Sequence, residues 1–146
     1  MRFRILTTAG VAAAACWWLA ISTAAQAQET YKIRLYPVPS DQKTRPQLAG
    51  AATVSATLSG SKLSVNGTFE GLLSPATKAE VRAGVLAGVR GPVVGELMVT
   101  KATRGSISGS VDLTPQQVAT LKKGGIYIQL YSEKTPEGVL WGWLLK

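Results

Sequence analysis

The chain has no histidine, and its one cysteine, Cys16, sits in an apolar stretch near the N-terminus. Imidazole and thiolate are the usual ligands of zinc and copper and the usual bases and nucleophiles of hydrolytic triads. Neither is available beyond Cys16, so no metal and no cofactor is expected. A hard cation could use oxygen ligands, but the eight Asp and Glu are scattered and form no Asp-x-Asp-x-Asp loop. Glycoside hydrolysis would need two acids meeting across a cleft. Glu80, Glu96, Asp112, Glu133 and Glu137 are available, and nothing in their spacing brings two together. Each reads first as solvated charge, and the expectation is a protein that is not an enzyme.

Aromatic residues are the better candidates. Trp141 and Trp143 stand at i, i+2, which places both on one face of a strand, and Tyr127 and Tyr131 belong to the neighbouring strand. If exposed, they form a platform for carbohydrate or protein contacts. The competing reading packs at least one tryptophan in the core, in which case the tyrosine hydroxyls need partners.

These residues lie on a C-terminal strand pair. Ile126, Ile128 and Leu130 alternate with Tyr127, Gln129 and Tyr131, and Ser132 to Gly138 supplies a turn. Val139, Trp141, Trp143 and Leu145 then oppose Leu140, Gly142 and Leu144. Upstream, Tyr31 to Tyr36 alternates until Pro37 and Pro39 stop it. Ala51 to Ser59 and Lys62 to Glu70 form a hairpin around Ser59-Gly-Ser61. Ser74 and Pro75 are placed to open one helical turn, Ala79 to Val85 alternates, and Gly88 to Pro92 reads as a turn. Further strands are expected over 93–100 and 105–113. One helix is expected over about 114–123, with Thr114 as N-cap, Pro115 at the first position, Gln117 completing a capping box and Gly124 as terminator. Under three turns long, it depends on Val118 and Leu121 for anchorage. About eight closely spaced strands and one short helix predict an all-β, Greek-key β-sandwich.

The first 27 residues read as a signal peptide. Arg2 and Arg4 form a basic start, residues 5–21 are mostly apolar, and Ala25 and Ala27 set up cleavage after Ala27. A single domain over 28–146 is expected, periplasmic or secreted and without stable membrane insertion. Two of the 16 Lys and Arg belong to the leader, leaving 14 against 8 acidic residues and a net charge of +6. No basic run exceeds two residues, so nucleic acid is not expected as a partner. The excess charge keeps the domain soluble or attracts an acidic polymer.

Several short segments occur in an order that resembles a chordin-type (CHRD) domain, from about Leu48 to Leu145. They are Gly50 to Ala52, Leu58 to Val65, Phe69 to Thr77, Gly91 to Val94, Leu113-Thr114, Gly125 to Ile128, Thr135 to Gly138, and Gly142. The resemblance implies an exported, immunoglobulin-like β-sandwich. It also implies a His-x-His pair and a later histidine, and Glu80, Arg82 and Tyr131 occupy those positions in this chain. Trp141 stands where the resemblance implies an arginine. Glu80 and Arg82 share a strand face and could form an ion pair, worth little if exposed.

The resulting expectation is a non-catalytic binding or structural domain of the cell envelope. Its partner would be an envelope protein or an anionic polysaccharide, and its site Glu80, Arg82, Tyr127, Tyr131 and Trp141. The alternatives are an accessory subunit of a periplasmic complex and a hydrolase or redox enzyme with an unrecognised site.

Overall fold

Alternating apolar side chains from eight strands meet in one interior. The computed structural model describes residues 28–146. The expected leader, its cleavage point and Cys16 lie outside the described residues. The strands are β1 (Gln28–Pro37), β2 (Ala51–Ser59), β3 (Lys62–Glu70), β4 (Ala76–Ala83), β5 (Val93–Val99), β6 (Gly105–Asp112), β7 (Ile126–Ser132) and β8 (Thr135–Trp143). One α-helix, α1 (Pro115–Lys122), joins β6 to β7, and Arg45–Gln47 forms a 3-10 turn. The all-β reading with one short helix holds.

The sandwich expectation is corrected. The strands close into a barrel in the order β1-β2-β3-β6-β5-β4-β7-β8, all neighbours antiparallel. Two strands achieve the closure by changing partners along their length. β1 pairs with β2 from Gln28 to Leu35 and then with β8 through Tyr36 and Pro37. β5 pairs with β4 as far as Leu97 and then with β6 through Met98 and Val99. Strands that switch sheets at corners seal the edges that a sandwich would leave open. Greek-key order is present within the barrel, since β4, β5 and β6 follow one another as hairpins with β3 returning beside β6 and β7 beside β4.

The interior takes the apolar half of each alternation. Leu35, Val54, Leu63, Val65, Ile107, Ile126, Ile128, Leu130, Leu140 and Leu144 are fully buried. Gly142 belongs to this inner set for a steric reason. A Cβ there would lie 2.9 Å from the Arg34 carbonyl oxygen and 3.1 Å from Ile33 Cδ1, so the absence of a side chain lets β1 cross close over β8.

The helix has the expected capping box. Gln117 N–H donates to Thr114 Oγ1 at 3.2 Å, and Thr114 N–H donates to Gln117 Oε1 at 2.9 Å. Leu121 is its buried anchor.

Three local expectations change. Leu73 and Ser74 form a bend and Pro75 is irregular, in place of the helical turn expected to open at Ser74 and Pro75. β4 stops at Ala83, and Val85, expected on the inner face, is 78% exposed. Gly84 N–H still donates to Gly125 O at 2.7 Å, one step beyond the Ala83–Ile126 pair, and the chain leaves the sheet after it. The link between β7 and β8 is only Glu133 and Lys134, with Thr135 and Pro136 already in β8.

Candidate binding face on β4, β7 and β8

Period-2 geometry places Lys78, Glu80 and Arg82 of β4 on the outside of the barrel, opposite Tyr131, Gln129 and Tyr127 of β7. Trp141 and Trp143 of β8 continue the rows beside Gln129 and Tyr127. All five residues singled out in the sequence therefore share one outer face.

It is not an ordinary solvated face. Glu80 is only 3% exposed, and Tyr127, Gln129 and Tyr131 are buried as well. Residues 84–92 cover part of it, tied down at two points. Arg82 Nε donates to Gly91 O at 2.9 Å, and Gly91 N–H donates to Tyr127 Oη at 3.2 Å. Arg90 then lies over the Trp141 ring at 5.6 Å.

Three residues far apart in sequence or alternate on a strand close a small ring. Tyr131 Oη donates to Glu80 Oε2 at 2.7 Å and accepts from Arg82 Nη1 at 2.8 Å, while Arg82 Nη1 reaches Glu80 Oε2 at 3.1 Å. Lys78 Nζ supplies the other carboxylate oxygen, Oε1, at 2.9 Å. The ion pair expected from i, i+2 spacing is present, but its carboxylate is enclosed rather than exposed.

The electrostatics follow from that enclosure. Burial pushes the Glu80 carboxyl up, but the hydrogen bonds from Tyr131 and Lys78 and the charges of Lys78 and Arg82 outweigh it and hold the group below its ordinary range. Tyr131 is pushed up to about 12, chiefly by burial and further by its bond to Glu80, with Arg82 partly offsetting both. Near neutral pH the ring is therefore a carboxylate, a neutral phenol and a guanidinium.

The aromatic residues form a second cluster beside the first. Tyr127 and Trp143 lie 4.3 Å apart by ring centroid, Trp141 and Trp143 5.6 Å, and Tyr127 and Trp141 5.9 Å, the last two pairs edge-to-face. Both tryptophans are half-buried on the outer face, so neither packs in the barrel interior.

Between the clusters a cleft of about 280 Å³ is lined by Lys78, Arg82, Arg90, Tyr127, Gln129, Tyr131, Pro136 and Glu137. Among the described residues no three carboxylates converge as metal ligands.

The CHRD domain family model matches residues 22–144. The chain belongs to the CHRD domain family. No curated protein and no solved structure matches it. In this CHRD domain the three positions that the resemblance assigned to histidines, Glu80, Arg82 and Tyr131, are brought within hydrogen-bonding distance of one another.

Sequence reasoning missed Lys78, Arg90 and Gln129. Lys78 was legible as the next residue on the Glu80 face at i−2. Arg90 and Gly91 had no such signal, because nothing in a turn sequence states which sheet face it folds against. Gln129 donates to the Glu137 carbonyl at 2.9 Å, a contact made possible by Gly138, since a Cβ there would lie 2.0 Å from Gln129 Nε2.

Proposed function

We propose that this CHRD domain is a non-catalytic binding module of the cell envelope that takes an acidic sugar of an anionic polysaccharide in the β4–β7–β8 cleft. It works after export, in the periplasm or outside the cell. The observation that carries the reading is the gathering of Lys78, Arg82 and Arg90 with Trp141 and two tyrosines around one small opening. Glu80 holds Arg82 and Lys78 from beneath, which orients the cations. Among the described residues Arg90 forms no ion pair and lies against the Trp141 ring, and a guanidinium against an aromatic face suits a planar carboxylate beside a sugar ring. At about 280 Å³ the cleft is small enough to select a single acidic unit rather than a long segment.

Two features support the non-catalytic part. The Glu80 carboxyl is held below its ordinary range between two cations, and Tyr131 keeps its proton to about 12. Neither group is poised near neutral pH, where a general acid or base works best.

Binding of residues 28–146 to a soluble polyuronate and to a neutral glucan tests the reading. The polyuronate is expected to bind, the glucan not, and Arg90→Glu to weaken binding at least tenfold without moving Tm. Equal binding of both polymers, or undiminished binding by the variant, would overturn it.

A further inference from the structure

The segment after β4 is unusual in composition. From Ala83 to Val94 it reads AGVLAGVRGPVV, with Arg90 as the one charged residue. Surface turns are ordinarily built from Gly, Pro, Asn, Asp and Ser around polar neighbours. Here Leu86, Ala87, Gly88 and Val89 make a tight turn, closed by Val89 N–H donating to Leu86 O at 3.2 Å. Val85 is 78% exposed, Leu86 53% and Val89 42%. The turn stands clear of the body, since a Cβ placed at Gly88 would meet nothing within 4 Å.

This apolar tip has cationic neighbours. Gly84 N–H is bonded to Gly125 O, and the Val85 carbonyl oxygen lies 3.3 Å from the Cβ position of Gly125. The base of the turn is thereby fixed against the end of α1, where Lys122 and Lys123 are exposed and form no ion pair among the described residues. Leu145, half exposed, touches Gly124 on the same end of the barrel, while Lys146 beside it is ion-paired with Glu29 at 3.2 Å, which leaves Lys122 and Lys123 as the cations that form no ion pair there among the described residues. No acidic residue occurs between Arg82 and Gly95.

We propose that the Val85–Val89 turn and the Lys122–Lys123 pair together form a peripheral docking surface for an anionic lipid bilayer. The turn enters the boundary between headgroups and acyl chains, and the lysines contact the headgroups. Three features select a bilayer over a protein partner. The tip projects rather than forming a groove. It offers no side-chain hydrogen-bonding group of its own. A fluid apolar layer beneath a negative surface matches both its apolar end and its basic surround, whereas a protein would have to supply a fitted pocket. No helix among the described residues is long and apolar enough to cross a membrane. The residues involved are separate from those of the cleft, and the two readings fail independently.

Residues 28–146 serve for the test, because the closed barrel and its core lie within them and the apolar leader would itself bind lipid. Co-sedimentation is measured with vesicles of phosphatidylcholine alone and of phosphatidylcholine mixed with phosphatidylglycerol. Binding is expected to the mixed vesicles and to weaken as salt is raised. Leu86→Asp is expected to reduce it at least tenfold. The double change Lys122→Glu with Lys123→Glu is expected to reduce it by a similar factor at low salt. Met98→Asp alters another exposed apolar residue, at the far end of β5, and is expected to change nothing. Equal binding to both vesicle types, no binding to either, retention by Leu86→Asp, or a loss with Met98→Asp as large as with Leu86→Asp would each overturn the proposal. All variants are first checked for an unchanged thermal transition.

Discussion

The Tyr131 hydroxyl donates to Glu80 Oε2 at 2.7 Å from the neighbouring strand, and the hydroxyl oxygen itself accepts from Arg82 Nη1 at 2.8 Å. One phenol thus ties together the two ends of an ion pair. Tyr131→Phe removes the hydroxyl while keeping the ring. It leaves the buried Glu80 oxygen with Arg82 alone and deprives Arg82 Nη1 of an acceptor. The expected cost is about 1–3 kcal/mol, the range for leaving a buried polar group short of a partner. Urea denaturation should show it as a lower midpoint at unchanged slope. A variant as stable as the parent would mean that the ring does not hold together as described.

Glu80 gives the acid side of the stability curve a specific owner. Its carboxyl is held below its ordinary range in the folded chain, by Tyr131, Lys78 and Arg82 against the effect of burial. A lowered pKa means that the folded state binds this proton less readily than the unfolded one. The associated stability is complete above the ordinary value of 4.5 and is lost as pH falls through the lowered one. Glu80→Gln should destabilise the fold by about 1–3 kcal/mol near neutral pH, since a neutral amide loses the charge-assisted bonds from Tyr131, Lys78 and Arg82 while both cations keep access to water. The difference between the two proteins should narrow as the medium is acidified below that value. Melting curves across the acid range give the comparison, and a gap that stays constant with pH would assign the loss to packing instead.

The alkaline side belongs to two tyrosines. Tyr31 and Tyr131 are each pushed up to about 12 from an ordinary 10.0, in both cases first by burial and then by a hydrogen bond to a glutamate, Glu29 and Glu80 respectively. A raised phenol keeps its proton in the fold after the unfolded chain has released it. The stability it contributes is complete below pH 10.0 and declines as pH rises toward 12. Chain stability measured over that window should fall, and Tyr131→Phe should make the fall shallower. Ultraviolet titration should show late phenolate formation, and Tyr131→Phe should remove part of that late absorbance.

Local alternation was enough to find the strands, because burial on one side of a sheet writes a period of two into the chain. The helix was equally plain, since Thr114, Pro115, Gln117 and Gly124 each have a terminus-specific role. The closure was not legible. Whether Tyr36 pairs with β2 or crosses to β8 depends on how far β1 bends, and side-chain alternation continues unchanged through the switch. The same holds for Leu97 and Met98 in β5. The site was half visible. Its five residues could be set on adjacent strands, but Glu80 reads in sequence as an ordinary solvated carboxylate. Its enclosure comes with Tyr131 reaching it from β7 and with Lys78 and Arg82 closing on it, and the Arg82 side chain is in turn held by the Gly91 carbonyl, a backbone group common to every residue.

The barrel's closing contact can be tested at Gly142. This glycine needs no unusual backbone angle, so any cost of substitution comes from space alone. An added Cβ would meet the Arg34 carbonyl oxygen at 2.9 Å, Ile33 Cδ1 at 3.1 Å and Leu35 Cγ at 3.2 Å. The side-chain atoms can yield a little, but the carbonyl belongs to the segment of β1 that carries the chain from β2 to β8. Gly142→Ala should therefore cost about 1–3 kcal/mol, as small-to-large changes in filled interiors do. It should act by opening the β1–β8 seam, where pairing is confined to Tyr36 and Pro37. Hydrogen exchange of Val38 N–H, which donates to Val139 O at 3.1 Å, reports on that seam directly. Faster exchange there than at the β2–β3 hairpin would place the damage at the closure. A variant with full stability and unchanged exchange would mean that β1 and β8 do not approach so closely, and that the two halves are joined more loosely than a continuous ladder.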